Sequence, residues 1–384
     1  MKILASGDHH FDARSKRWEE CLRIHEWIAD LVEREQPDAF LSAGDIYERA
    51  STPVEREAVA TWLTRIADVC PVVIAKGNHD RPEDVALMRR LKARHPVIVE
   101  EACGVHVVGG LAVATVAWPS KASLLAMLGR DVDTAGADDA ARAALQDVFR
   151  GLAAELDAKA AGLPRVLLTH AMVDGSRVST GQPLYGMELR VGLEDLALAR
   201  CPLVVCGHVH APQGWSFGDV EVVYTGSPFR TAYGELEEKS VLFAEWVDGN
   251  HTCSRIPTPA QPMVLLEWRW EDGVFMAGAE EVHENDWPAL EGADVRLRLH
   301  VAADQRDAAR SAAASSRDLL LAKGAARVTV EEVVEAKARA RAPEIAEATS
   351  TAEKLAVLWT ARGEQLGERE PRVLGKLGEL EEAS

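Results

Sequence analysis

The chain has 384 residues, of which 47% are hydrophobic and 27% are charged, and its formal net charge is -18. This length exceeds what one hydrophobic core usually holds, so we expect one large domain with one or two smaller ones. No apolar run approaches the ~20 residues that cross a bilayer, and the amino terminus turns polar too early for a signal peptide. A cytoplasmic protein without membrane segments is therefore expected.

The acidic charge also bears on partners. Dedicated nucleic-acid binders are usually basic, so any attraction to DNA must come from bound cations, local basic patches or a partner protein. The cysteines are scattered without a CxxC pair, which predicts buried, reduced thiols rather than disulfides. They are Cys21, Cys70, Cys103, Cys201, Cys206 and Cys253.

Residues 1–258 alternate short apolar runs with helical patterns, which predicts a layered α/β fold. Trp18–Glu35 has the apolar spacing of a helix. A second helix begins with Thr52 as N-cap, Pro53 in the first turn and Glu55 completing a capping box. Asp139–Ala161 reads as a long surface helix. The apolar runs have too few charges for half-exposed strands and are predicted to be central strands of a covered sheet: Met1–Ser6, Ala39–Ala43, Val72–Ala75, Val166–Thr169 and Leu203–Cys206.

The pattern changes after Pro257. Met263–Trp270 and Val295–Val301 alternate with a period of two, which predicts half-buried strands. A helix over Asp304–Leu321 and a strand over Arg327–Val330 follow, so residues 262–336 are predicted to be a small α+β domain. Residues 343–384 look helical and charged, with little core of their own. This tail either binds a partner or folds back on its own domain as a helix pair.

Five short polar motifs each follow a predicted strand. Because the carboxyl ends of strands in an open α/β sheet meet at one edge, where ligands bind, we expect these motifs to share one pocket. They are Asp8-His9-His10, Gly44-Asp45, Gly77-Asn78-His79-Asp80, His170 and Gly207-His208-Val209-His210.

The residue types in these motifs suit a pair of divalent cations. Carboxylates and an amide oxygen are hard ligands and imidazoles are borderline, a mixture that manganese, iron or zinc accepts. The absence of cysteine from the motifs argues against a structural zinc site. Two cations about 3.5–4 Å apart repel each other, so a carboxylate shared between them is expected.

In order, spacing and flanking strands the motifs resemble those of the calcineurin-like metallophosphoesterase superfamily. The resemblance implies that Asp8, His10 and His210 hold one metal ion, that Asn78, His170 and His208 hold the other, and that Asp45 bridges the two. It also implies catalytic roles for His79, which would meet the substrate phosphate, and for Asp80, which would orient His79 by accepting its second N–H. His25, His95 and His300 are interpreted as surface or satisfied histidines, and His9 as lying on the alternate face.

The segment Tyr224–Pro228, followed by Glu235–Lys239 and Ser240-Val241, is similar to the bacterial SbcD nuclease subunit and its archaeal and eukaryotic counterparts. This resemblance implies a manganese-dependent DNA nuclease acting in DNA repair and recombination. The small domain would cap the DNA, and the tail would bind the coiled-coil base of an SbcC-like ATPase. A small-nucleotide phosphodiesterase or phosphatase and a non-catalytic scaffold are the alternatives.

The same resemblance implies a homodimer. The helices after the second and third motifs, Thr52–Val69 and Pro82–Lys92, would pair across a twofold axis, and the first carries an apolar stripe of Val59, Trp62, Leu63 and Ile66 that either pairs or belongs to the core. One departure concerns Glu48, which stands where relatives often have a histidine linked to exonuclease action. A carboxylate there would repel phosphate unless it is protonated or bound to metal.

Overall fold

The structure is a computed structural model that describes residues 1–128, 136–177, 189–283, 287–335, 350–362, 369, 371–374 and 376–377. Much of the predicted tail, 343–384, lies outside the described residues. The chain divides into two compact units. One comprises Met1–Leu266, His283–Leu297 and Ser316–Val330, and the other comprises Glu267–Val282, Arg298–Ser315 and Glu331–Ser384.

Strands and helices alternate through the first half of the chain, and strands dominate after it. The described strands are β1 (Lys2–Ser6), β2 (Ala39–Ser42), β3 (Val72–Ala75), β4 (Val97–Glu100), β5 (Cys103–Val108), β6 (Leu111–Val116), β7 (Arg165–His170), β8 (Met172–Val173), β9 (Arg190–Val191), β10 (Leu203–Gly207), β11 (Gln213–Phe217), β12 (Val220–Tyr224), β13 (Ser240–Val247), β14 (Asn250–Pro257), β15 (Met263–Glu271), β16 (Val274–Ala277), β17 (Glu280–Glu281), β18 (Asp294–Ala302) and β19 (Arg327–Glu335). The described helices are α1 (Trp18–Glu35), α2 (Pro53–Ala67), α3 (Pro82–Met88), α4 (Lys121–Leu128), α5 (Ala137–Lys159), α6 (Leu193–Leu196), α7 (Arg306–Ala322) and α8 (Thr351–Arg362), with a 3-10 turn at Ala197–Ala199.

Two six-stranded sheets form the larger part of the fold. The first has the order β14-β13-β1-β2-β3-β4, with β1 to β4 parallel and β13 antiparallel to β1. The second has the order β11-β12-β10-β7-β6-β5, with β6, β7, β10 and β12 parallel. A core cluster joins side chains from both sheets, Ile3 and Leu41 from the first and Val113, Val166 and Val205 from the second. The two sheets therefore pack face to face.

Helices cover the outer faces. Leu4 and Phe40 of the first sheet share a cluster with Ile28 of α1 and Leu63 of α2, and the second sheet shares one with Phe149 of α5. Because β1, β2, β3 and β10 are covered on both sides, nearly all of their side chains are buried, which is why these strands read as continuous apolar runs. The predicted layered α/β fold is confirmed.

Local signals in the sequence also correspond to the structure. The Thr52 side chain accepts from the Glu55 backbone N–H while Glu55 accepts from the Thr52 N–H, so α2 begins with the predicted capping box. The stripe of Val59, Trp62, Leu63 and Ile66 is at most 5% exposed and belongs to the core of the same chain. The stripe therefore gives no support to a dimer. None of the helices in the described ranges is long and apolar enough to cross a membrane.

The third sheet has the order β17-β16-β15-β18-β19. Burial alternates strictly along most of β18, from Val295 to Ala302, as the period-two pattern predicted. Strand β15, helix α7 and strand β19 likewise confirm the predicted elements, with ends that differ from the predicted ones by at most five residues.

Candidate metal centre

The predicted site residues meet where parallel strands of both sheets end. Asp8 and His10 follow β1, Asp45 follows β2, and Asn78 to Asp80 follow β3, while His170 ends β7, and His208 and His210 follow β10. The sequence predicted convergence at one edge of an open sheet. The structure instead divides the site between two packed sheets, so that side chains approach from two sides.

Asp8, His10 and His210 form what we call the first ligand group. One ligand atom from each lies within 4.8 Å of the others, and the two Nε2 atoms of His10 and His210 are 3.0 Å apart. Nδ1 of His10 lies 2.7 Å from Oε2 of Glu48, and Nδ1 of His210 lies 3.1 Å from Oε1 of Glu235. Because an ionised carboxylate only accepts, the proton of each neutral ring belongs on Nδ1, and the two Nε2 lone pairs then face each other. A cation between them resolves that repulsion.

Asp8 points to the same conclusion. Its side chain is fully buried, and Oδ1 accepts the backbone N–H of His208 at 2.8 Å. Oδ2 is also buried, with no hydrogen-bond partner among the described residues. A buried carboxylate oxygen without a donor is costly unless a cation neutralises it. The first ligand group therefore fits a divalent cation.

Asp45, His170 and His208 form the second ligand group, again with their ligand atoms within 4.8 Å of one another. Nδ1 of His170 donates to the carbonyl of Ala43 at 2.6 Å. Its Nε2 faces Oδ1 of Asn78 at 3.0 Å and Oδ2 of Asp45 at 3.3 Å, so two oxygen acceptors converge on this ring nitrogen. Nδ1 of His208 lies 3.2 Å from the same Asn78 oxygen.

The charges of the second ligand group are strongly coupled. Burial lowers the pKa of His170, but the adjacent Asp45 carboxylate outweighs it and raises the pKa to about 9. Burial would raise the pKa of Asp45, yet His170 and His10 hold it far below its usual range. Burial and the charge on His170 lower the pKa of His208 to about 3. The structure thus balances an ionised Asp45 with a proton on His170, a role that a bound cation would take over.

Asp45 lies between the two groups. Its Oδ2 is 3.3 Å from Nε2 of His170 and 4.0 Å from Nε2 of His10, while Oδ1 accepts the backbone N–H of His79 at 2.9 Å. Adding a Cβ to Gly77 would place it 2.0 Å from that Oδ1. Only glycine therefore lets the third motif approach Asp45 this closely.

His79 is oriented differently from the prediction. Its Nδ1 donates to the backbone carbonyl of Glu48 at 2.6 Å. Asp80 is buried, and its two oxygens accept the backbone N–H groups of Tyr47 and Gly77. The expectation that Asp80 orients His79 is therefore wrong, because the carboxylate is occupied in bracing the loops that carry Asp45 and Asn78. A main-chain carbonyl orients the His79 ring instead.

A cavity of about 380 Å³ opens on these residues. His10, His79 and His210 line it together with Glu48, Arg17 and Thr231. His79 is about one-third exposed there. The cavity therefore gives a substrate access to the first ligand group and to His79.

The loops that carry the ligands have unusual backbone conformations. Asp8, His10, Asp45 and His208 have φ values of 53°, 45°, 51° and 102°, in the region that favours glycine. Each costs of order 1 kcal/mol and persists only where the surrounding structure imposes it. Backbone hydrogen bonds of Asp8, His9 and His10 to Gly44 and Asp45 hold the first two loops, and the His208 N–H donates to Oδ1 of Asp8.

Sequence reasoning did not identify the residues that fix the histidine rings. Glu48, treated as a source of repulsion, contacts His10, and this contact lowers the pKa of its carboxyl. Glu235 holds His210 and is itself held by Thr231 and Lys239, with Lys239 fully buried beside it. In the sequence, Glu48 and Glu235 were noted only because they lie in segments that resemble those of relatives, and nothing there indicated that they contact histidines.

His9, excluded as lying on the alternate face, is fully buried there. Its Nδ1 donates to Nε2 of His25 at 2.9 Å, its Nε2 accepts from Ser42, and His25 donates to the Cys21 carbonyl at 2.7 Å. Burial holds the pKa of His9 well below its ordinary value and lowers that of His25 to about 4. Both rings therefore remain neutral, and their hydrogen bonds support the loop that carries the first motif.

Comparisons with known proteins agree with this geometry. The family model of the calcineurin-like phosphoesterases matches residues 1–212. The chain is 31% identical over 100 residues to the DNA double-strand break repair protein Mre11 of Aeropyrum pernix, and this match spans 24% of each sequence. The chain thus spans about a quarter of the length of that curated relative.

Solved structures show more distant similarity. The GAP50 anchor in the inner membrane complex of Plasmodium has a TM-score of 0.42 and 14% identity over 67% of this chain and 84% of its own. A dimetal phosphatase from Danio rerio has a TM-score of 0.41 and 10% identity over 67% of this chain and 96% of its own. The family match covers more than half of the sequence and all the predicted metal ligands, so this chain belongs to the calcineurin-like phosphoesterase family, whose members hydrolyse phosphoesters with divalent metal ions.

Proposed function

We propose that this chain is a manganese-dependent DNA nuclease that cleaves phosphodiester bonds as the subunit of an SbcCD-like complex. One observation carries the hydrolytic part: Asp45 lies against both ligand groups, and His10 and His210 of the first group line a cavity together with His79. The similarity to Mre11 of Aeropyrum pernix supports DNA as the substrate.

In this proposal the first ligand group, Asp8, His10 and His210, holds one ion. His170, His208 and Asn78 hold the other, and Asp45 bridges them. Such a pair of ions polarises a phosphoryl group and neutralises the charge that develops on the attacking and leaving oxygens. The mixture of oxygen and imidazole ligands, without sulfur, is one that manganese accepts.

His79 would act on the substrate and not on the metal. Its Nδ1 is engaged by the Glu48 carbonyl, which fixes the ring and leaves Nε2 for the phosphate. A histidine in this position stabilises charge on a phosphate oxygen or gives a proton to the leaving oxygen. Glu48 and Glu235 hold the rings of His10 and His210, so that the ligand atoms are in place before substrate binds.

The remaining parts of the proposal concern the domains and the partners. Residues 1–258 would form the nuclease domain, 262–336 the domain that caps DNA, and 343–384 the segment that binds an SbcC-like ATPase. The charge of -18 supports a need for that partner, since an acidic chain has little electrostatic attraction for DNA on its own. A homodimer is part of the same proposal.

A chelation experiment tests the nuclease proposal. Protein stripped of metal should not cut a short single-stranded DNA, and manganese should restore cutting, whereas a phosphomonoester and a cyclic dinucleotide should be poor substrates. Equal activity in chelator would contradict the metal mechanism. Preference for the small nucleotide would replace the nuclease with the phosphodiesterase alternative, and inactivity on all three substrates would favour the scaffold.

A second experiment tests the partner. Deletion of 343–384 should preserve manganese-dependent cutting of the single strand but abolish co-purification with the ATPase and ATP-stimulated cutting of duplex ends. Retained co-purification would contradict the role of the tail. Nanomolar binding of duplex DNA by the isolated full-length chain would contradict the need for a partner.

A further inference from the structure

A second cluster of metal-ligating side chains lies outside the candidate metal centre. Glu221 on β12 and His251 and Cys253 on β14 place a carboxylate oxygen, a ring nitrogen and a thiol sulfur within 4.8 Å of one another. Nε2 of His251 is 3.0 Å from Oε2 of Glu221. None of the three belongs to the five motifs or to the first or second ligand group.

The fold holds the three residues in place from two directions. His251 and Cys253 are two residues apart on β14, so their side chains lie on the same face. That strand is fixed by its register with β13, where Trp246 pairs with His251 and Ala244 with Cys253. Glu221 comes from the other six-stranded sheet, where it pairs with Ser216 of β11. The ring of Trp246 lies 5.7 Å from that of His251 and limits its movement.

The donor set is different from that of the candidate metal centre. It contains a sulfur, a nitrogen and an oxygen, which is a common combination for zinc, and three protein ligands leave a fourth position for water. A thiolate and a carboxylate together carry two negative charges, which match a divalent cation. A cavity of about 430 Å³ lined by Glu221 and Cys253, together with Gln213, Trp215 and Arg255, gives an ion access to the cluster.

Without an ion the thiol holds its proton. Burial, followed by the charge of Glu221, raises the pKa of Cys253 to about 12, and the nearby Arg255 opposes this only in part. A cation removes the repulsion between the carboxylate and a thiolate, so the sulfur–metal bond forms as the S–H bond breaks and one proton passes to solvent.

We propose that Glu221, His251 and Cys253 form a zinc site that joins β12 of one sheet to β14 of the other. The site is separate from hydrolysis, and it does not depend on the proposed nuclease function. A zinc ion bound here stabilises the folded chain by mass action, because the unfolded chain does not bring the three ligands together.

Cobalt(II) is the probe, because it gives a thiolate-to-cobalt charge-transfer absorption only when sulfur is a ligand. The candidate metal centre has no cysteine among its motifs, so cobalt bound there is silent in this band. We expect the full-length chain to show the band by three equivalents of cobalt, two for the candidate metal centre and one for this site, with zinc abolishing it and manganese leaving it unchanged. Absence of the band in the unsubstituted protein would overturn the proposal.

Substitutions test which side chains give the cobalt absorption band. Cys253→Ser should remove the band, and His251→Gln and Glu221→Gln should each weaken cobalt binding by more than about tenfold. Cys103→Ser is the matched control, because Cys103 is exposed on β5 and should leave the band intact. A band that persists in Cys253→Ser, or that disappears in Cys103→Ser, contradicts the site. The two glutamine variants keep the proposal testable if Cys253→Ser does not fold, since unchanged affinity in both would also contradict it.

Discussion

The two ligand groups of the candidate metal centre are held in different ways. In the first, Glu48 and Glu235 fix the rings of His10 and His210 with carboxylates. In the second, the carbonyl of Ala43 fixes His170, and the Asn78 amide lies against His170 and His208. A carboxylate makes an imidazole a stronger ligand and can be substituted, whereas a backbone carbonyl is set by the fold. The first group is therefore open to tuning by mutation, and the second is determined by strand geometry.

Asp45 lies against both ligand groups, so its substitution should have the largest effect on metal binding and activity. Asp45→Asn keeps the size of the side chain but removes the charge between the groups, and we expect activity to fall to the level of chelator-treated protein. Metal analysis should show loss of bound ions. Asp12→Asn, in the same cavity, is the control and should keep its metal. An Asp45→Asn protein with two ions and full activity would contradict the bridging role.

His79 contacts neither group as a ligand, and its substitution should separate chemistry from metal binding. His79→Ala is expected to lower kcat by about 10²–10⁴-fold, the usual contribution of a positioned acid or base. Metal content and thermal stability should stay unchanged. Loss of both ions in this variant would show that His79 is a ligand.

The carboxylates that hold the first ligand group should have an intermediate effect. Glu235→Gln is expected to weaken manganese binding by about 10–100-fold, because glutamine accepts the His210 N–H without a full charge. Glu48→Gln should follow with a smaller loss, since Glu48 is nearly half exposed while Glu235 is buried. Manganese titration followed by activity measures both. Equal manganese affinity in the unsubstituted protein, Glu235→Gln and Glu48→Gln would contradict the proposed difference between the two ligand groups.

The smallest expected effect concerns the buried His9–His25 pair below the first ligand group. The pKa of His25 is lowered to about 4, so below an unfolded value of about 6.5 the unfolded chain binds a proton that the folded chain does not. This contribution to stability is complete above that pH and is lost as pH falls toward 4. Between about pH 7.5 and 5, His25 should reduce the free energy of unfolding by about 2 kcal/mol.

Denaturant titrations of metal-free protein at several pH values measure this loss. His25→Leu should give a shallower dependence of stability on pH, whatever its effect on stability at neutral pH. His95→Leu is the comparison variant, because His95 is less buried than His25. An unchanged slope in His25→Leu would show that the buried pair does not titrate in this way.

The sequence predicted the central strands well, because a strand that is buried on both faces consists of a short run of apolar residues, such as Val72–Ala75. The ligand motifs were visible for the same reason, since each polar cluster interrupts the chain where such a run ends. The division of the strands between two sheets was not predicted. A continuous apolar run indicates burial but does not say what covers it.

The supporting contacts of the site could not be predicted from spacing alone. Asp80 is next to His79 in sequence, yet it accepts from the backbone of Tyr47 and Gly77. Glu235 is 25 residues from His210 and reaches it only because the loop after β12 returns to the site. Hydrogen-bond partners of this kind depend on loop conformation, which leaves no periodic signal in the sequence.

The residues with left-handed φ values in the ligand loops lower the stability of the folded chain. Glycine at Asp8, His10, Asp45 or His208 would adopt the observed φ without the steric cost that any side chain carries there. Glycine at His10 or His208 should relieve this strain and remove a metal ligand, whereas glycine at Asp8 or Asp45 would also lose the hydrogen bond that the carboxylate accepts from the backbone of His208 or His79. Backbone strain at the ligand positions is thus a cost in stability that accompanies the metal-binding geometry of these loops.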